Sequence, residues 1–163
     1  MPDTKRYGDG NLYKFSSDGE LKETYETLTH GGMPGFLGVT ASSMGSDQSK
    51  VVYISELGNR IFQYDVIKNE QADDLITYEP ESGDLVIAIT HSTNGDFYSI
   101  KANFRAGFSL CKHDPSSGSI SEQFELPGPG WASLCIAMDG KSAYMGNFFN
   151  GTMGRFNLTN GEM

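Results

Sequence analysis

Residues 128–162 read GPGWASLCIAMDGKSAYMGNFFNGTMGRFNLTNGE, and they contain three short strand-like runs in close succession. An apolar run comes first, the dipeptide Asp139-Gly140 follows, and the second run is centred on Tyr144. An Asp-Gly pair between two such runs is a strong signal for a tight hairpin. The third run ends at Asn157, whose short polar side chain favours a turn. The segment therefore predicts three consecutive antiparallel strands.

The third run recurs along the chain. It occurs as LYKFSSDGE at 12–20, IFQYDVIKNE at 61–70, LCKHDPSSG at 110–118 and MGRFNLTNGE at 153–162. The copies align on one ring-bearing residue each, spaced by 49, 49 and 43 positions: Phe15, Tyr64, His113 and Phe156. Ser, Asp or Asn directly follows each of these residues, and Gly or Asn stands three or four residues further on. This combination is typical of a turn. A period of this length indicates a repeated unit of β-sheet.

The other strands of the unit repeat as well. Tyrosine-centred runs align on Tyr53, Tyr98 and Tyr144, spaced by 45 and 46 positions. Short apolar runs precede them, GFLGVTAS at 35–42, DLVIAIT at 84–90 and ASLCIAM at 132–138. More polar segments complete the units, LKETYETL, DDLITYEP and SISEQFEL. Units that run from an apolar to a polar strand, without helical periodicity, predict an all-β fold of four-stranded antiparallel β-propeller blades.

The repeat accounts for about three and a half blades. We predict a half-blade at 10–28, whole blades at 35–79 and 84–126, and an incomplete blade at 132–163. A closed propeller needs about 4–8 blades, so this is a partial propeller, which we expect to come from a six- or seven-bladed ring. Either missing blades of a longer chain or self-association would then complete the ring.

Composition restricts the partners and the compartment. The chain has 12 Lys and Arg against 21 Asp and Glu, a net charge of -9. This excess of acid argues against nucleic acid and anionic membranes, which both require a positive surface. The N-terminal MPDTKRYGDGN has no apolar signal core, which predicts a cytoplasmic protein, or a secreted one if the natural chain starts earlier. Cys111 and Cys135 both lie in apolar runs, and we expect buried free thiols.

Two segments, 33–66 and 128–162, resemble blades of YVTN-type propellers. The shared pattern is an apolar strand, a DGK turn, a tyrosine strand ending in Asn, Asp or Glu, and an NGT or GNR loop. The similarity covers about residues 33–163 and is nearest to the 6-phosphogluconolactonase-like lactonases and the senescence-marker/gluconolactonase family. The resemblance implies a hydrolase that opens a lactone, or a related isomerase, acting on a small polar or cyclic metabolite.

Candidate site residues lie in the loops that converge on one face of a propeller, around its channel. The position three residues past each aligned tyrosine holds a polar side chain: Glu56, Lys101 and Asn147. We expect Glu56, Lys101, His30 and Arg105 to be catalytic. His30 is either a general base or a solvated turn residue. Arg105 either binds a substrate carboxylate or phosphate or covers Phe104. Four further residues are predicted to bind the ligand: Phe36, Asn59, Trp131 and Asn147.

The same resemblance implies a divalent cation, Ca²⁺, Mg²⁺ or Zn²⁺. Gluconolactonase-type enzymes hold their metal with an acidic residue at this strand end, which Glu56 matches, and with an Asn just after a Pro. Here Pro34 is followed by Gly35-Phe36, which departs from that pattern. The predicted metal ligands are Glu56 and Asn147, and Asn59 could supply a third oxygen. Two functions remain open: a metal-assisted lactonase, or a non-catalytic propeller that binds a small ligand or a protein partner.

Overall fold

A computed structural model describes residues 10–28, 39–55 and 58–163. These residues form fourteen β-strands and one short 3-10 turn at Pro80–Ser82. The strands are β1 (Asn11–Phe15), β2 (Leu21–Glu26), β3 (Ala41–Met44), β4 (Lys50–Ile54), β5 (Arg60–Asp65), β6 (Glu70–Gln71), β7 (Ile76–Thr77), β8 (Leu85–His91), β9 (Phe97–Asn103), β10 (Gly107–His113), β11 (Ile120–Leu126), β12 (Trp131–Ile136), β13 (Ser142–Asn147) and β14 (Thr152–Asn157). Within these ranges, no helix is long and apolar enough to cross a membrane.

The strands pair with their chain neighbours in four antiparallel sheets. The first sheet is β1-β2, the second is β3-β4-β5-β6 with β7 also paired to β5, the third is β8-β9-β10-β11 and the fourth is β12-β13-β14. This arrangement confirms the predicted all-β fold with antiparallel four-stranded units of a partial propeller. The described strands do not close into a barrel.

The turn after each repeated strand has the predicted chemistry. Side-chain oxygens of Asp65, Asp114 and Asn157 each accept a hydrogen bond from the backbone N–H two residues later, at 3.0, 3.0 and 2.8 Å. Gly118 and Gly161 complete two of these turns with φ of 72° and 74°. Glycine adopts this left-handed region without the steric cost that a Cβ brings. The Asp/Asn and Gly signals therefore mark the ends of β5, β10 and β14.

The hydrophobic core consists of three clusters, one between each pair of successive sheets. Each middle sheet contributes to two clusters because side chains on a strand alternate between its faces. On β9, Phe97 packs toward the second sheet, whereas Tyr98 and Ile100 pack toward the fourth sheet. The first strands of three sheets lie side by side, with β8 between β3 and β12.

The outer faces of the first and fourth sheets are open in the described part of the chain. Phe15 is 59% exposed although its repeat partners in β5, β10 and β14 are buried. On the fourth sheet, Met153 is 79% and Tyr144 41% exposed. Both cysteines are free as expected and Cys111 is buried, but the predicted burial of Cys135 is wrong, because this residue is exposed. Cys135 lies opposite Tyr144 in the sheet, on this open face.

The outer strand of the second sheet departs from the prediction of one continuous strand at 73–80. Instead, two short strands, β6 and β7, both pair with β5. Residues 72–75 between them lie outside the strands, and within this segment Asp74 pairs with Arg60 at the start of β5. Arg60 Nε donates a hydrogen bond of 2.6 Å to the Asp74 carboxylate. A cross-strand ion pair thus accompanies the interruption, while the N–H groups of Ala72 and Leu75 still donate to the backbone of β5.

Candidate functional site

A cavity of about 350 Å³ opens where the first strands of the second, third and fourth sheets come together. Its walls include the side chains of Phe104, Phe108, Trp131, Phe148 and Phe149, and we call this cavity the aromatic cleft. It lies on the predicted functional face, because the loops β9–β10, β11–β12 and β13–β14 all contribute to it.

Two β-bulges place small and branched side chains at the base of the aromatic cleft. The register of β8 against β9 shifts between Val86 and Ala88, and that of β12 against β13 shifts between Trp131 and Ser133. The extra residues, Ile87 and Ala132, both line the aromatic cleft. A bulge bends a strand and redirects a side chain, so the same irregularity in two repeats forms the base of the cleft.

Asn147 fastens two walls of the aromatic cleft together. Its side-chain nitrogen donates to the carbonyl oxygen of Pro129 at 2.9 Å, and its side-chain oxygen accepts from the N–H of Phe149 at 3.1 Å. The N–H of Phe148 donates to the carbonyl oxygen of Gly130 at 2.9 Å. Asn147 is buried, so these bonds are shielded from water. The predicted ligand-binding residue is therefore a clamp between the β11–β12 and β13–β14 loops.

Gly130 is required at this crossing for two reasons. Its φ is 99°, which an L-residue with a Cβ rarely adopts. A Cβ placed there would also lie 2.4 Å from the Phe149 ring and 2.6 Å from Asn147 Oδ1. The absence of a side chain thus lets the phenylalanine ring and the clamp approach the backbone.

The rings differ in how firmly they are held. Trp131 is 5% exposed, and its indole N–H donates to the Pro127 carbonyl oxygen at 3.3 Å. Phe108 is buried and meets Phe104 edge to face with ring centres 5.6 Å apart. The ring centres of Phe148 and Phe149 are 4.2 Å apart, yet these side chains are 69% and 60% exposed. The cleft therefore has a fixed base and an exposed aromatic rim.

Lys101 lies in a different depression, of about 250 Å³, which we call the polar pocket. Asp84, Asn103, Ser109 and Gln123 also line it. The Lys101 ammonium is 3.6 Å from the Asp84 carboxylate, and Gln123 Nε2 donates to Ser109 Oγ at 3.1 Å. Phe108 lines both depressions, whereas Trp131 lines only the aromatic cleft and Lys101 only the polar pocket.

The thiol of Cys111 lies on the same face of the third sheet as Lys101. Burial raises the pKa of this thiol to about 11, and the neighbouring Lys101 ammonium opposes the shift only partly. The thiolate is the nucleophilic form of cysteine. Cys111 is consequently protonated at neutral pH and acts as a small core residue.

Arg105 and Asn59 have contrasting surroundings. Arg105 is exposed at the tip of the β9–β10 turn, where its N–H donates to Asn103 Oδ1 at 3.0 Å. Its guanidinium forms no ion pair with any residue of the described ranges. Asn59 Nδ2 instead donates to the Tyr78 carbonyl oxygen at 2.6 Å, a bond that fastens β7 to the loop before β5.

Three predicted residues, His30, Phe36 and Glu56, lie outside the described residues. No group of three or more His, Cys, Asp or Glu side chains suited to a metal ion occurs among the described ones. The predicted metal site at Glu56 and Asn147 remains a prediction. Of these two residues only Asn147 is described, and the bonds given above already use both ends of its amide.

The strand register corrects one alignment made from the sequence. Three pairs fix equivalent positions on the second strands: Val51 with Tyr64, Phe97 with His113, and Ala143 with Phe156. Counted from these pairs, Lys101 and Asn147 are equivalent, but Ser55, not Glu56, holds the matching position in the second sheet. A shift of one residue moves a side chain to the other face. The tyrosine of β4 accordingly packs toward the first sheet, whereas that of β9 packs toward the fourth.

Sequence reasoning identified the loops of the aromatic cleft but missed its rim. Phe104 and the pair Phe148-Phe149 stand in NFRAG and NFFNG, turn sequences at corresponding places in two repeats. Aromatic residues inside Asn- and Gly-containing turns are unusual because such turns lie on the surface. That signal could have indicated the rim.

Comparisons with known proteins show the fold alone. No protein-family model matches the chain, and no curated protein matches it. Among solved structures, Kuenenia stuttgartiensis hydrazine synthase is similar, with a TM-score of 0.65 and 10% identity over 94% of this chain. The match covers 41% of that protein, so the chain spans less than half of its length. That protein contains a β-propeller, and the four sheets of this chain have the corresponding partial propeller architecture.

Proposed function

We propose that this chain is a ligand-binding propeller module whose aromatic cleft receives the apolar ring of a small molecule. The observation that carries the proposal is the cleft itself, in which five aromatic side chains surround about 350 Å³. Small-molecule sites are concave, mostly apolar and about 300–1,000 Å³ in volume. The cleft fits the lower part of that range, which corresponds to a ligand of one or two fused rings.

The exposed rim supports the same proposal. Phe104, Phe148 and Phe149 are 63%, 69% and 60% exposed, and all three border one cavity. Single exposed apolar residues are common, but contiguous ones mark binding sites. A bound ring would cover these side chains and gain about 0.5–1.5 kcal/mol for each well-placed aromatic contact beyond the burial of area.

The proposal is tested with N-phenyl-1-naphthylamine, an uncharged dye whose fluorescence rises in apolar surroundings. We expect saturable binding to the wild type and an affinity about fivefold lower for Phe149→Ala, equivalent to about 1 kcal/mol of lost ring contact. Phe15→Ala is the matched control, because Phe15 is equally exposed at 59% but lies on the first sheet. Equal losses in both variants, or no saturable binding, would contradict the proposal.

Lactone hydrolysis is a second candidate, and one observation favours it. Lys101 lies in the polar pocket beside a carboxylate and two side chains that form hydrogen bonds, Ser109 and Gln123. A fixed cation of this kind can stabilise an oxyanion. A separate assay measures hydrolysis of a γ-lactone by the wild type and by Lys101→Ala, with and without Ca²⁺, Mg²⁺ or Zn²⁺. Turnover that is lost in Lys101→Ala would favour the enzyme over the binding module.

A further inference from the structure

The loops around the aromatic cleft differ in charge from the rest of the chain. The whole sequence carries 21 Asp and Glu against 12 Lys and Arg. Three of the segments that line the cleft include the loops 103–107, 127–131 and 147–151, which read NFRAG, PGPGW and NFFNG. They contain no acidic residue and a single charge, Arg105. In a chain of net charge -9, these three loops therefore offer one cation and no carboxylate of their own.

The turn that carries Arg105 is held firmly. Asn103 Oδ1 accepts from the N–H groups of Arg105 and Ala106, both at 3.0 Å. The side-chain nitrogen of Asn103 donates to Asp84 Oδ1 and to the Ser82 carbonyl oxygen, both at 2.9 Å. These four bonds fix the backbone at the residue that follows Phe104, one wall of the aromatic cleft.

The guanidinium of Arg105 is available to a ligand. Its side chain is exposed and forms no ion pair with a described residue, and Asp84, which accepts from Asn103 of the same turn, is engaged by Lys101. A guanidinium presents paired N–H donors that match the two oxygens of a carboxylate. The rim therefore joins an apolar, ring-binding surface to one anion-binding group.

From this juxtaposition we infer that the ligand is an aromatic carboxylate, with its ring in the aromatic cleft and its carboxylate on Arg105. The inference rests on the proposed function, since it names the ligand class of the same site. Trp131, Phe148 and Phe149 supply affinity for the ring, and Arg105 selects the anion over a neutral ring of the same shape.

The test compares 2-naphthoate with 2-naphthamide, its neutral analogue, by isothermal titration calorimetry. We expect the wild type to bind naphthoate about five- to tenfold more tightly, which corresponds to about 1–1.4 kcal/mol. Arg105→Gln should remove this preference and leave naphthamide affinity unchanged. Raising NaCl from 50 to 500 mM should weaken only naphthoate binding, because salt screens an exposed ion pair.

Arg155→Gln is the control variant. Arg155 is exposed as well, but its guanidinium donates to Ser142 Oγ at 3.0 and 3.1 Å on the open face of the fourth sheet. The Arg155→Gln variant should still bind naphthoate more tightly than naphthamide. Equal affinity of the wild type for the two compounds, or a preference that persists in Arg105→Gln, would overturn the inference while leaving the proposed function intact. Failure of both compounds to bind would overturn both.

Discussion

At the scale of single residues, two histidines connect stability to pH. His91 and His113 lie on either side of Phe97, with ring centres 4.9 and 5.4 Å from its own. His113 is almost fully buried. Its Nδ1–H donates a hydrogen bond to the Gly118 carbonyl oxygen, and its Nε2 forms a hydrogen bond of 2.8 Å with Ser99 Oγ. Burial lowers the pKa of His113, and the bond to Gly118 opposes this shift. Burial also lowers the pKa of His91, against the pull of Asp47.

This arrangement predicts a loss of stability in weak acid. A histidine whose pKa is lowered in the folded state binds its proton more readily when unfolded, so the stabilisation is complete above about pH 6.5 and declines below it. Urea unfolding from pH 7.5 to 5 should show a fall of at most about 1.4 kcal/mol per pH unit per histidine. His113→Phe, which restores the repeat residue, should reduce the slope even if it lowers stability at every pH. An unchanged slope would show that His113 does not titrate in this range.

The carboxyl group of Asp114 affects stability in a separate, more acidic pH range. Hydrogen bonds from Ser116 and Ser117 lower the pKa of its carboxyl to about 2. Its contribution is present above the ordinary pKa of aspartate and is lost only as the pH falls from about 4 toward 2. The histidine effect can therefore be measured without interference from this turn.

At the scale of the structural elements, the clamp at the end of β13 couples two loops. A strand-end residue that only lines a channel is outside the core, and its replacement costs little stability. The structure leads to a different expectation for Asn147→Ala. Removing the amide leaves the Pro129 carbonyl and the Phe149 N–H without partners, at a cost of about 1–3 kcal/mol. We expect a lower unfolding midpoint together with weaker dye binding.

Asn150→Ala is the matched control for that variant. Asn150 also accepts a backbone hydrogen bond in the β13–β14 turn, from the Thr152 N–H at 3.1 Å, but it is exposed and water can replace it. Its loss should change stability by less than about 0.5 kcal/mol. If Asn147→Ala were as stable as this control and lost only ligand binding, Asn147 would contact the ligand directly.

At the scale of the whole molecule, the open faces of the first and fourth sheets favour association. Phe15 and Leu21 are 59% and 49% exposed on one, and Met153 and Tyr144 are 79% and 41% exposed on the other. Contiguous apolar surface of this kind tends to be covered in solution. We expect light scattering on residues 1–163 to give a mass above 17.8 kDa, and Tyr144→Lys with Met153→Lys to lower it.

Ile67→Lys serves as the control for association. Ile67 is 77% exposed but lies in the turn after β5, outside the first and fourth sheets. This variant should behave like the wild type. A sharply melting wild-type monomer of 17.8 kDa would mean that the open faces are stable in water without a partner.

The amino-acid sequence by itself determined most of the strands, their order and their turns, but not the division of one outer strand into β6 and β7. Alternation of apolar residues, Asp-Gly and Asn-Gly pairs, and the recurring Asp or Asn after β5, β10 and β14 are local signals, and local hydrogen bonds satisfy them. These signals were sufficient for an all-β partial propeller. They were not sufficient for strand register. The alignment from sequence was shifted by one residue in β4, so it matched Glu56, instead of Ser55, with Lys101 and Asn147.

Only the tertiary structure decided the chemistry of the site. The bulges at Ile87 and Ala132 and the contact of Gly130 with Phe149 join residues that are far apart in sequence. The sequence placed Lys101 and Trp131 in one constellation, whereas the fold assigns them to two depressions. The physical reason is that side-chain direction depends on register and strand twist, which are set by packing between sheets.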